Sequence, residues 1–181
     1  MEAVKASWLL EEAMDWLSGD ERYLILKGGS RSGKTYSCLL GLIFYCLQNP
    51  GVTVAAFRAE QTTAKRTLEV DLVEILDELL EIYDDDQHHK TDSIYRFRNG
   101  SKLRIRGCDK SSRLRGEKNS VVLLNECQEI SEKSDTQIKI RSKRIMADFN
   151  PSFEWSNFYL SEDVERAPST MITSTYKDNP F

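Results

Sequence analysis

The chain alternates short runs of apolar residues with longer segments in which apolar residues recur every three or four positions. The short runs predict strands, at residues 23–26, 52–57, 121–124, 144–147 and 171–173. The periodic segments predict helices, at residues 2–17, 35–47 and 68–83. Strands that are apolar on both faces are typical of parallel sheets covered by helices. We therefore predict an α/β domain with a mostly parallel sheet and helices on both faces.

A β-hairpin is predicted within this alternation. Asn99-Gly100, a strong turn signal, separates residues 93–97 from residues 102–106. In the second arm Leu103 and Ile105 alternate with basic residues, which predicts one dry face and one basic face.

A glycine-rich segment follows the first predicted strand and leads into a predicted helix. Residues 28–35, GGSRSGKT, match G-x-x-x-x-G-K-[ST] in full. Backbone N–H groups and the positive end of the helix would surround phosphates here, with Lys34 reaching the β- and γ-phosphates and Thr35 reaching Mg²⁺. The predicted ATP-binding residues are Gly28, Gly29, Ser30, Arg31, Ser32, Gly33, Lys34 and Thr35. Arg58 ends the second strand and would face the same crevice, where it contacts nucleotide or DNA or is simply a solvated arginine.

A carboxylate partner for this loop is expected at the end of another apolar strand. Residues 121–126 read VVLLNE, so that Asn125 stands where a metal-binding Asp is usual, and Glu126 is placed to act as a general base on water. We predict Thr35 and Asn125 as the metal ligands, since the Asn carbonyl can still accept from a metal-bound water. The glutamate favours an ATPase that converts hydrolysis into movement, with a P-loop NTPase fold of the ASCE type.

Composition changes this picture little, but the distribution of charge adds to it. The net charge is −4, yet residues 96–118 hold nine basic and two acidic residues. The four cysteines lack metal-binding spacing and are predicted to be buried free thiols in a reducing compartment. No apolar run is long enough for a membrane span. His88-His89 is interpreted as a flexible loop rather than a metal site.

Several segments, in order, resemble the ATPase domain of the tailed-phage terminase large subunit. They read YLILKGGSRSGKT, FRNGSKLRIRGCD, RLRGEKNSVVLLNECQEI, IMADFNPS and STYKDNPF, and they span nearly the whole chain. The resemblance implies a Mg²⁺-dependent ATPase that drives double-stranded viral DNA into a procapsid. It also implies a homo-oligomeric ring on the portal protein, a small terminase subunit as partner, and the bacterial host cytoplasm as location.

The resemblance also implies roles for individual residues. Asn150 would lie near the γ-phosphate and couple hydrolysis to movement, although an Asn before Pro151 is also a common turn residue. From its place in the loop, Arg31 either senses or neutralises the γ-phosphate or is a surface residue. Arg115 could be an arginine finger acting on a neighbouring subunit or a solvated loop residue. The basic hairpin residues either contact DNA phosphates or protect an exposed edge; they are Arg96, Arg98, Lys102, Arg104 and Arg106.

Three alternatives stay open at this point: another P-loop translocase or helicase, a nucleotide or small-molecule kinase, and a non-hydrolysing nucleotide-binding scaffold. We expect a single P-loop ATPase domain over residues 1–181, with an N-terminal helix at 2–17 and a core at 22–181. Large terminases also carry a C-terminal nuclease domain. We expect that domain to be absent from this chain and the chain to be unable to cut DNA.

Overall fold

The structure is a computed structural model that describes residues 8–29, 31–109, 114, 118–150, 160–175 and 177. The helices are α1 (Trp8–Ser18), α2 (Lys34–Gln48), α3 (Gln61–Arg66), α4 (Leu68–Glu74), α5 (Glu132–Lys139) and α6 (Leu160–Glu165). The strands are β1 (Tyr23–Gly28), β2 (Thr53–Arg58), β3 (His88–His89), β4 (Ile94–Arg96), β5 (Lys102–Gly107), β6 (Asn119–Leu124), β7 (Ser142–Phe149) and β8 (Ser169–Ser174).

The described strands form one sheet in the order β3-β4-β5-β2-β6-β7-β1-β8. The six strands from β5 to β8 in that order pair in parallel, and β3 and β4 pair antiparallel at one edge. This confirms the predicted α/β fold with a mostly parallel sheet. Strand β7 lies between β1 and β6, which is the additional strand of the ASCE arrangement.

Two apolar clusters cover the two faces of the sheet. On one face, α1 and α2 pack over residues such as Leu24 and Leu123. On the other, Ile138 of α5 packs with Ile25 and Val122. The four cysteines are free thiols divided between these clusters, as predicted. Within the described residues, no helix is both long and apolar enough to cross a bilayer.

The helix predicted at 68–83 differs from the observed structure. Helix α3 already begins at Gln61 and ends before Thr67, whose hydroxyl donates to the Thr63 carbonyl 2.9 Å away. Such back-bonding competes with regular helix geometry and bends the chain. Helix α4 then gives way to a π-helical turn at Ile75–Leu79. Apolar spacing alone cannot distinguish this broken path from one continuous helix.

The predicted hairpin is present as β4 and β5, but β5 is an interior strand. Because β5 also pairs with β2, Arg104 is only 7% exposed and the predicted exposed basic face is wrong at that position. Burial lowers the Arg104 guanidinium pKa to about 10. At the hairpin turn, the Asn99 side-chain amide donates to the carbonyls of Cys46 and Leu47 at the end of α2, at 2.8 and 3.1 Å.

The interpretation of His88-His89 as a flexible loop is wrong. These residues form edge strand β3 beside β4. The His88 ring is held by the Glu69 carboxylate at 3.0 Å and by the Tyr83 hydroxyl at 3.0 Å. Both partners lie within the helix predicted at 68–83, so no signal within the two histidines could have revealed them.

Candidate nucleotide-binding site

A cleft of about 500 Å³ opens at the carboxyl ends of β1, β6 and β7, beside the N-terminus of α2. Ligands bind at this end of parallel strands in open α/β sheets. Residues 31–35 form one wall together with Gly28, and Glu126 and Asn150 face them. The structure therefore brings most of the predicted site residues together. Ser30 and Arg115 lie outside the described residues, and their roles stay predictions.

The loop is shaped by backbone conformations that few residues adopt. Gly33 has φ 79° directly before α2, and Arg31 has φ 65°, both in the left-handed region. Gly28 is required for another reason, because a Cβ there would lie 2.8 Å from the Ser174 carbonyl oxygen on β8. The glycines thus let the loop turn tightly while β1 and β8 stay in close contact.

Lys34 lies in the first turn of α2 and folds back onto the loop. Its ammonium donates to the carbonyls of Gly28 and Gly29, at 2.7 and 2.9 Å, and to the Ser32 hydroxyl at 3.1 Å. Burial lowers the Lys34 pKa, while the nearby carboxylates of Asp148 and Glu126 act in the opposite direction. The loop therefore holds the Lys34 ammonium beside the place where this motif binds phosphate groups.

Thr35, Asn125 and Asp148 meet at the base of the cleft. The Asn125 amide nitrogen donates to the Thr35 hydroxyl at 3.0 Å and to the two Asp148 oxygens at 2.9 and 3.2 Å. The Thr35 hydroxyl lies 3.3 Å from Asp148 Oδ2. The Asn125 carbonyl oxygen points the other way and accepts from Arg58 at 2.9 Å.

These partners determine the orientation of the Asn125 amide. A guanidinium can only donate hydrogen bonds and an ionised carboxylate can only accept them. Flipping the amide would place its nitrogen against Arg58 and its oxygen against Asp148, so that both contacts would become repulsive. The side-chain oxygen that faces the Thr35 hydroxyl therefore belongs to Asp148, whereas Asn125 presents its amide nitrogen to Thr35.

Asp148 was not among the residues predicted from the sequence. It is 2% exposed and lies on β7, the strand that ends one residue before Asn150. Burial raises the Asp148 pKa, opposed by hydrogen bonds from the Glu126 amide and Asn125 and by the charge of Lys34. An acid inside an apolar strand was the available signal. Asp71 and Glu74 of α4 also line the cleft and were not among the predicted residues.

Glu126 follows β6 in a left-handed conformation, with φ 49° and ψ 54°. Its backbone N–H donates to Asp148 Oδ1 at 2.7 Å. Its carboxylate accepts from the Gln128 side chain at 3.0 Å and lies 3.8 Å from Arg58. The side chain is 38% exposed and lines the cleft.

Comparisons with known proteins agree with this geometry. Residues 20–181 match the sequence model of the phage terminase large subunit family. A comparison with curated proteins finds no match.

Solved structures similar to this one come from large terminases. The large terminase of a thermophilic bacteriophage has a TM-score of 0.77 at 14% identity, over 96% of this chain and 46% of that one. The same protein in complex with ADP has a TM-score of 0.74 at 15% identity, with the same coverage. The ATPase domain of the Thermus phage P74-26 large terminase has a TM-score of 0.57 at 15% identity, over 96% of this chain and 84% of that one. This chain thus spans about half the length of the first of these proteins. The family match extends over most of the residues, and the chain belongs to the phage terminase large subunit family.

Proposed function

We propose that this chain is an ATP-hydrolysing motor domain that drives double-stranded viral DNA into a procapsid. One observation carries the proposal: Lys34 at the start of α2 and Glu126 at the end of β6 line the same cleft. An isolated phosphate-binding loop would suit many nucleotide-binding proteins. A carboxylate opposite that loop supplies what hydrolysis needs in addition, a base that orients water.

In the proposed reaction, the Lys34 ammonium exchanges its loop carbonyls for phosphate oxygens of ATP. Glu126 orients a water molecule toward the γ-phosphate and accepts its proton. Arg31 and Asn150 line the cleft and would respond to the presence or loss of that phosphate. Arg58 contacts both Asn125 and Glu126, so it would position the base rather than touch the nucleotide.

The oxygen-rich donor set at the base of the cleft fits Mg²⁺. A hydroxyl and a carboxylate face each other there, and hard cations prefer such ligands. Thr35 and Asp148 would hold the ion. When bound, Mg²⁺ neutralises charge on the β- and γ-phosphates.

The assembly partners are proposals that rest on family membership. They are double-stranded DNA, the portal protein, the small terminase subunit and further copies of this chain in a ring, in the host cytoplasm. Arg96 and Arg98 are exposed at the hairpin and could reach DNA phosphates, unlike Arg104. In the ring, Arg115 would act on the ATP of a neighbour.

The test compares ATP turnover and ADP binding in the wild type, Lys34→Ala and Glu126→Gln, with and without duplex DNA and portal. Lys34→Ala should lose both properties. Glu126→Gln should keep ADP binding and lose turnover by on the order of 100- to 10,000-fold. Glu129→Gln is the matched control, because this acid is close in sequence but exposed. Wild-type turnover in Glu126→Gln would refute the proposed mechanism, and stimulation by DNA alone without portal would favour a helicase.

A further inference from the structure

We propose that Asp148 of β7 supplies the metal-binding carboxylate of this site, and that Asn125 holds it in place. The inference rests on the proposed function, because the metal is the one that accompanies ATP. In P-loop NTPases this carboxylate usually comes from the strand that here ends in Asn125. In this chain the negative charge is on the neighbouring strand instead.

The position of the Asp148 carboxylate supports this assignment. Its Oδ2 lies 3.3 Å from the Thr35 hydroxyl, the motif's other metal ligand. Adjacent ligands of octahedral Mg²⁺, each at about 2.0–2.1 Å, lie about 2.9 Å apart. The two oxygens are therefore already near the separation that a shared ion requires. Asp148 is also among the residues that line the nucleotide cleft, so its carboxylate is within reach of a bound phosphate.

The contacts of Asn125 exclude it from the same role in this arrangement. Its amide N–H groups face Thr35 and Asp148, and an N–H donor cannot bind a cation. Its carbonyl oxygen is bound to Arg58. The Asn125 amide instead lies between the Arg58 guanidinium and the Asp148 carboxylate and is hydrogen-bonded to both groups.

The arrangement also connects the metal ligand to the base. Asp148 Oδ1 accepts the backbone N–H of Glu126, and Oδ2 faces Thr35. One carboxylate thus contacts both the predicted metal ligand and the residue that would orient water. An aspartate at residue 125 would place a second carboxylate against Asp148, which is unfavourable unless one of them is neutral.

A reciprocal exchange tests the assignment. In Asn125→Asp/Asp148→Asn the carboxylate moves to β6, where Arg58 can pair with it. The new amide at residue 148 can donate to that carboxylate, and its carbonyl can still accept from the Glu126 N–H. The number of charges and hydrogen-bonding groups is unchanged, so the exchange should restore the metal binding that Asp148→Asn alone removes.

The readout is Mn²⁺ binding to the ADP-loaded chain, followed by electron paramagnetic resonance, with ADP affinity in EDTA and thermal unfolding measured in parallel. We expect Asp148→Asn to weaken Mn²⁺ binding on the order of tenfold or more. We expect the exchanged pair to recover most of that loss and Glu129→Gln to match the wild type.

Two results would overturn the inference. One is wild-type Mn²⁺ affinity in Asp148→Asn. The other is an Asp148→Asn variant that loses Mn²⁺ binding and ADP affinity in EDTA to the same extent, because Asp148 would then act through the fold of the site and not on the metal. A wild-type chain that binds no ADP, with or without metal, would instead refute the proposed function.

Discussion

Replacing Gly28 with alanine tests how closely β1 and β8 approach at the mouth of the nucleotide cleft. The added Cβ would collide with the Ser174 hydroxyl oxygen, and it would also lie 2.8 Å from the Ser174 carbonyl oxygen and 3.0 Å from the Ser32 hydroxyl oxygen. Ordinary contacts begin near 3.4 Å, so the Ser174 hydroxyl must rotate away and the Ser174 carbonyl oxygen must move by roughly half an ångström. Ser174 pairs with Gly28 in parallel register, and its carbonyl cannot rotate away as a side chain could. Strand β8 itself would have to shift.

The expected cost follows from two opposing effects. Overpacking of this kind destabilises by about 1–3 kcal/mol, while the alanine restricts the unfolded chain and recovers about 0.4–1 kcal/mol. A net loss of about 1–2 kcal/mol lowers the Tm of a domain of this size by about 2–8 °C. The added Cβ also crowds the Ser32 hydroxyl, which accepts a hydrogen bond from Lys34. Gly28→Ala should therefore weaken ADP binding as well.

The assay is thermal unfolding without nucleotide, followed by circular dichroism. Gly29→Ala is the matched control, because no atom lies within 4 Å of its added Cβ and its backbone is not left-handed. We expect Gly29→Ala to unfold within about 2 °C of the wild type. Equal melting temperatures for Gly28→Ala and Gly29→Ala would refute the argument from close strand contact.

Three further predictions concern the rest of the fold. Lys139→Met should destabilise the protein by about 3 kcal/mol, because it leaves the buried Asp135 carboxylate without the ammonium 2.6 Å away. The assay is urea unfolding, with Lys143→Met at an exposed position as the control. Equal unfolding midpoints for the two variants would contradict the prediction. Gly100→Ala should lower the free energy of unfolding by about 1 kcal/mol, because the backbone φ is 86° at this position. The nearest atom to the added Cβ is 3.9 Å away, so the loss would come from backbone strain and not from a collision. Gly19→Ala, where the backbone is not left-handed, should lose less in the same assay. The cysteine thiols should not react rapidly with a disulfide reagent at pH 8. Burial raises their pKa, to about 12 for Cys46 and Cys108, and little of the reactive thiolate is present at a pH below the pKa. Fast labelling of any thiol in the folded protein would contradict this prediction.

The parts of the fold that were predicted correctly are those with a local physical cause. Strands buried on both faces must be apolar throughout, so residues 23–26 and 121–124 identified β1 and β6 without further information. The phosphate-binding loop was equally local, because its glycines and Lys34 follow one another in the chain. The Asn99-Gly100 turn predicted the hairpin for the same reason.

The parts that were missed depend on which strands are neighbours. The position of β5 inside the sheet, which buries Arg104, follows from its pairing with β2, and pairing leaves no mark within the strand itself. Asp148 acts with Asn125 because β6 and β7 are adjacent, although the two residues are 23 positions apart. Sequence spacing alone therefore did not identify Asp148 as the acid beside Thr35 and Asn125 at the base of the cleft.

The hydrogen bonds from Asn99 to the last carbonyls of α2 have a mechanical consequence. Helix α2 has 15 residues and is about 22 Å long. Its first turn holds Lys34 and its last turn is fastened to the hairpin. A regular helix is stiff along its axis, so we expect a shift of the Lys34 end along that axis to displace the Asn99 contacts as well. One continuous helix thus joins the nucleotide cleft to the hairpin turn, over a distance of about 20 Å.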